Sequence, residues 1–215
     1  MATFESVTAE QFAAALAVSP ASQTFRRVLG RLDHKTLFGG GPGLNYIIHR
    51  GPLKLARRFS PPAYHTLLIG DLIVDGVIDA HCPDADEGGS LVVIGNVACD
   101  VFANDYSKGT IIDGNLTASE LILNAYEDAG LWIAGDLKTH FFFGEDIWAE
   151  VGGKAEMTYG DGYCLPIGYS DAGAEAIWPE HDLETSLLQL NLPDTSALDP
   201  GRFKKLIASG DQLFR

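Results

Sequence analysis

Leu68-Ile69-Gly70-Asp71-Leu72, Val93-Ile94-Gly95-Asn96-Val97, Ile112-Asp113-Gly114-Asn115-Leu116 and Ile133-Ala134-Gly135-Asp136-Leu137 are four versions of one word. Their glycines stand 25, 19 and 21 residues apart. Aliphatic residues occupy the column two before the glycine (Leu68, Val93, Ile112, Ile133) and the column two after it (Leu72, Val97, Leu116, Leu137). The column one after holds only Asp or Asn: Asp71, Asn96, Asn115, Asp136. Four after come Val74, Cys99, Ala118 and Thr139, and seven after come Val77, Phe102, Leu121 and Phe142. Offsets of −2, +2 and +4 share one face of a strand, so these residues point into a common core. The glycine falls on the same face, where it permits a bend or a close approach. The +7 residue breaks the parity and predicts a corner before a second strand. One such unit is too small to bury its own core, whereas stacked units bury a continuous one. The pattern therefore predicts a mainly β protein, a parallel β-solenoid with rungs of about 20 residues.

The ends of the repeat are less regular. Gly153 keeps Val151, Ala155 and Met157 at matching offsets, and Gly51 is followed by Leu53 and Leu55 but flanked by His49 and Arg58. Four to six rungs are expected. Exposed solenoid ends need cover. Thr8-Ala9-Glu10-Gln11 reads as a capping box opening a helix to about Val18. A second helix fits Ser22 to Leu32, with Phe25, Val28, Leu29 and Leu32 on one face. Asp199-Pro200 reads as an N-cap and first helical residue, with Phe203, Leu206 and Ile207 as an apolar stripe. The expected division is an α-helical N-terminal cap over 1–62, solenoid repeats over 63–165, and a C-terminal cap with a terminal helix over 166–215.

The 215 residues carry a net charge of −14, unevenly placed. Residues 1–60 sum to +5, residues 61–198 to −21 and residues 199–215 to +2. The central segment repels nucleic-acid phosphates and anionic lipid, so neither nucleic acid nor a membrane is an expected partner. No apolar run approaches the roughly 20 residues that span a bilayer. Met1 to Glu5 shows no basic start to a secretory signal, and three cysteines (Cys82, Cys99, Cys164) are too few and odd in number for a disulfide framework. A cytoplasmic location is expected.

The Gly-[Asp/Asn]-[Leu/Val] words over residues 66–158 resemble those of bactofilin-like, polymer-forming proteins and of bacterial solenoid proteins with Gly-Asp-Leu repeats. That resemblance implies a right-handed parallel β-helix. Bactofilins polymerise end to end through bare termini, whereas long segments flank the repeat here on both sides. By class and charge alone, the chain is also similar to immunity proteins of polymorphic toxins.

The segments that follow the +7 column carry Asp84, Asp86 and Glu87, then Asp105, then Glu127 and Asp128, then Glu145 and Asp146. At similar distances from each glycine they should stack along one edge, with rungs about 4.8 Å apart. Tyr106 and Tyr126 lie among them as aromatic anchors. This edge is the candidate docking strip for a basic protein, a cognate toxin being the narrower expectation. Ordinary polar turns would account for the same residues. The calcium nonapeptide Gly-Gly-x-Gly-x-Asp and the EF-hand loop are absent, and His81-Cys82-Pro83-Asp84 lacks the spaced pairs of a structural zinc site, so no cofactor or metal is expected. The +5 column Asp75, Asp100, Ser119, His140 holds the residue types of a hydrolase triad, but stacking puts Ser119, not His140, in the middle. Hexapeptide spacing of acyltransferase-like solenoid enzymes is missing, and His65 and His140 form no spaced ligand pair. A non-enzymatic protein-binding role is expected, with a self-assembling scaffold as the alternative and a homo-oligomer compatible with either. In His140-Phe141-Phe142-Phe143 only Phe142 falls on the inward column; its neighbours are expected under a cap. The N-terminal basic residues Arg26, Arg27, Arg31, Arg57 and Arg58 could hold phosphate or pair with the chain's own acidic solenoid.

Overall fold

Alternation of inward aliphatics with a Gly-Asx turn builds a solenoid from six stacked strand pairs, which the chain climbs in about five turns. The computed structural model describes residues 3–32, 44–80, 89–104, 109–125, 130–145, 149–161, 164–168, 175–182, 184–186, 190, 205, 207–209 and 213–214. Strand β1 (Glu5–Val7) and helices α1 (Ala9–Val18) and α2 (Gln23–Arg31) come first. The pairs are β2 (Tyr46–Arg50) with β3 (Leu53–Phe59), β4 (His65–Ile69) with β5 (Leu72–Asp79), and β6 (Ser90–Ile94) with β7 (Val97–Asn104). Then come β8 (Gly109–Ile112) with β9 (Leu116–Asn124), β10 (Leu131–Ile133) with β11 (Leu137–Gly144), and β12 (Ala149–Val151) with β13 (Ala155–Asp161); β14 (Ile167–Gly168) follows. One sheet runs β1-β2-β4-β6-β8-β10-β12-β14 and the other β13-β11-β9-β7-β5-β3. All neighbours are parallel except β1, which lies antiparallel on β2. The solenoid thus begins at Tyr46, ahead of the boundary expected at 63. His49 and Arg58 had weakened the Gly51 word.

The inward columns are buried as expected. Leu68, Val93, Ile112 and Ile133 face Leu72, Val97, Leu116 and Leu137 in one core. The +7 column is corrected. The residues that stack inward are Ile78, Phe102, Ile122 and Phe142, whereas Val77, Val101, Leu121 and Phe141 stack on the outer side. The register shifts between Ile73 and Val77, between Cys99 and Val101, and between Thr139 and Phe141. Strands β5 and β9 therefore carry one residue more across the bend than β7 and β11, a bulge that a fixed offset cannot follow.

The glycine column is also placed differently. It lies in the turn between the two sheets, and each glycine faces the rung before it. A Cβ on Gly114 would stand 2.7 Å from Gly95 O and 2.6 Å from Asn96 Oδ1. The Asx column explains itself beside it. Asp71 Oδ1 accepts from Asn96 N at 2.7 Å, Asn96 Oδ1 from Asn115 N at 3.0 Å, Asn115 Oδ1 from Asp136 N at 2.8 Å, and Asp136 Oδ1 from Lys154 N at 2.8 Å. Each side chain thus satisfies the turn amide of the next rung.

The helices form where the capping residues predict. Thr8 Oγ1 accepts from Gln11 N at 3.2 Å while Gln11 Oε1 accepts from Thr8 N at 2.9 Å, and Ser22 Oγ accepts from Phe25 N at 3.1 Å. They are not end caps. Phe12, Leu16, Phe25 and Leu29 pack on Ile48, Leu67, Val92, Ile94 and Ile111, the outer face of the first sheet. Ser22 N also donates to Asp113 Oδ1 at 3.0 Å, tying α2 to the fourth turn. Leu190 and Leu213 cover the outer face of the second sheet, over Leu121, Phe141 and Phe143. Of the expected terminal helix, Asp199, Pro200, Phe203 and Leu206 lie outside the described residues. Other residues meet the core near the ends. Phe4 and Leu55 meet the core at one end, and Ala176 and Ile177 at the other.

Candidate functional site

Between each strand of the second sheet and the next strand of the first, the chain crosses one long edge of the solenoid. Asn104 is in register with Asn124, and Asn124 with Gly144. Ser90 pairs with Gly109, and Leu131 with both Thr110 and Ala149. The ladder runs on past the strands: Ala125 N donates to Asn104 O at 3.1 Å and Glu145 N to Asn124 O at 2.9 Å. The residues that bound segments 81–88, 105–108, 126–129 and 146–148 are therefore stacked rung on rung. Asp84, Asp86, Glu87, Asp105, Tyr106, Tyr126, Glu127, Asp128 and Asp146 lie outside the described residues. Glu145 is described, and it stands half-buried at the start of its segment.

Two residues at this edge escaped the sequence reading. Asn104 and Asn124 are fully buried. Asn104 Nδ2 donates to Asn124 Oδ1 at 2.9 Å and to Gly130 O at 3.3 Å, and Thr110 Oγ1 donates to Asn104 Oδ1 at 2.7 Å. This network fixes the bases of two acidic segments to the strand that follows, because a buried amide left unpaired would cost about 1–3 kcal/mol. The signal was in view: an Asn ends each of these two strands, directly before Asp105 and two residues before Tyr126.

The +5 column falls where the register shifts, and none of Asp100, Ser119 and His140 is in register with another. Ser119 Oγ donates to Asp100 Oδ1 at 2.8 Å, so the serine proton points at the acid. His140 packs edge-on against Tyr159 and Phe214, with centroids 5.1 and 4.9 Å away. Partial desolvation, and then the charge of Asp100, raise the carboxyl of neighbouring Glu120 above its ordinary range, opposed by His140. His65 belongs to the other sheet. It is buried beneath α1, stacked on Tyr46 at 4.6 Å with Nδ1 2.9 Å from Ser90 Oγ. His65 and His140 therefore share no site.

Among the described residues no three His, Cys, Asp or Glu side chains are grouped to hold a metal ion, and no helix is long and apolar enough to cross a membrane. Cys99 and Cys164 are buried thiols, and burial pushes Cys99 far above the usual thiol range. An apolar cleft of about 400 Å³ lies between the helices and β2, lined by Phe12, Ala13, Leu16, Leu29 and Tyr46 with Glu10 at its rim. Two of the five N-terminal arginines pair with carboxylates of the solenoid: Arg31 meets Glu150 at 2.8 Å, and Arg58 meets Asp79. Comparison of the chain with protein-family models, with curated proteins and with solved structures finds no match.

Proposed function

We propose that this solenoid is a non-catalytic protein-binding module whose acidic edge holds a basic protein, and more narrowly a cytoplasmic immunity protein that covers the active surface of a basic toxin. The observation that carries the reading is the stacking, in register, of the strand ends that bound the four acidic segments. Charges one rung apart repel by about 1 kcal/mol in bulk water, and by several times that beside a low-dielectric wall. A cationic partner relieves that repulsion and is steered to the edge by it.

The test is affinity capture with the wild type and with a variant carrying Asp84→Asn, Asp86→Asn, Glu87→Gln, Asp105→Asn, Glu127→Gln, Asp128→Asn, Glu145→Gln and Asp146→Asn. The wild type should retain a basic protein that high salt releases and that the variant fails to hold. Equal capture by both would remove the edge from the function. A scaffold that grows end to end is the competing reading. The backbone cover of β1 on β2 and of β14 on β12 favours the binding module over it.

A further inference from the structure

Among the described residues, three of the four sheet ends carry backbone cover. At one end β1 pairs with β2. At the other, β14 pairs with β12, and the amides of Glu180 and His181 donate to Met157 O and Thr158 O of β13 at 2.8 and 3.1 Å. The fourth, β3, is the last strand of its sheet, and β5 is its only strand partner among the described residues. Leu53 N donates to Asp71 O on the β5 side at 2.8 Å. Alternation along a parallel ladder then turns the amides of Lys54 and Ala56 outward.

The side chains on this edge are of one sign. Lys54, Arg57 and Arg58 are all exposed, and β3 has no acidic residue. Arg58 is shared with Asp79 of β5, whereas Lys54 and Arg57 have no carboxylate partner among the described residues. Arg57 takes a positive φ of 77°, a kink accommodated because its register partner is Gly76. Pairing with β5 continues in register to Phe59, while the kink at Arg57 leaves Leu53–Ala56 as the straight part of the outer edge. A second β3 laid against this edge would set cation against cation, which opposes self-pairing.

We propose that the outer edge of β3 takes up an extended acidic segment of another protein as an added strand. Main-chain bonds to Lys54 and Ala56 would supply the pairing, carboxylates would meet Lys54 and Arg57, and an apolar side chain would close over half-buried Leu55. The proposal is independent of the acidic edge, which lies elsewhere on the solenoid and selects the opposite charge.

The test uses the full chain with two synthetic peptides of equal length, one alternating Glu and Val, the other Lys and Val. The Glu peptide should slow hydrogen exchange at the Lys54 and Ala56 amides and bind about tenfold more weakly to Lys54→Glu/Arg57→Asn, Asn being a residue that tolerates positive φ. Exchange on the wild type reads the proposal even if that variant folds poorly. Unchanged exchange at β3, or equal binding of the two peptides, would overturn it. So would self-association abolished by Lys54→Glu, which would assign the edge to a second copy of the chain.

Discussion

At Gly114 the rung spacing leaves no room for a methyl group, with the previous turn 2.6–2.7 Å from where a Cβ would sit. Gly114→Ala should cost about 2–3 kcal/mol in urea unfolding, because the atoms in the way include backbone. Gly30→Ala in α2 should have the opposite sign, gaining about 0.5–1 kcal/mol, since nothing lies within 4 Å of its Cβ position. Asn115→Ala removes the acceptor for Asp136 N and should cost about 1 kcal/mol, while Asn115→Asp should be close to neutral. Glu120 carries a prediction in pH. Its folded pKa is raised, so the stability it contributes is present below its unfolded pKa and is lost as pH rises through the folded value. Glu120→Gln should therefore melt slightly higher than wild type at neutral pH, with the advantage vanishing in mild acid. The glycine and Asx columns were legible because four successive rungs repeat both. The direction of the glycine's close approach was not, because periodicity defines a face and says nothing about the axis along which rungs stack.

Helices α1 and α2 were legible from Thr8, Gln11 and Ser22, and their apolar stripes from Phe12, Leu16, Phe25 and Leu29. Where they dock was misread. A stripe shows that a face is buried, not what buries it. The missing signal lay in the strands: Leu91-Val92-Val93-Ile94 is apolar at every position, as a strand covered on both faces must be. The +7 column failed for a different reason, since one extra residue at a bulge shifts every later offset in that rung. Phe25 is fully buried between α2 and the first sheet. Phe25→Ala should cost about 3–4 kcal/mol and raise binding of an apolar dye as the outer face of that sheet is uncovered.

At the scale of the molecule, the charge asymmetry was legible from residue counts, and the stacking of the strand ends that bound the acidic segments from offsets. The buried Asn104–Asn124 pair was not, because a polar residue at a strand end reads as a turn until its partner one rung away is known. Cover on both ends of the first sheet and on the β13 end of the second leaves β3 as the one sheet end without backbone cover among the described residues, which disfavours end-to-end growth. The most direct test is size-exclusion chromatography with light scattering on the purified chain, over a wide range of concentration and salt. The account predicts a discrete species with the mass of one or two chains, unchanged across the range. Assemblies whose mass grows with concentration would contradict it and return the protein to the scaffold reading.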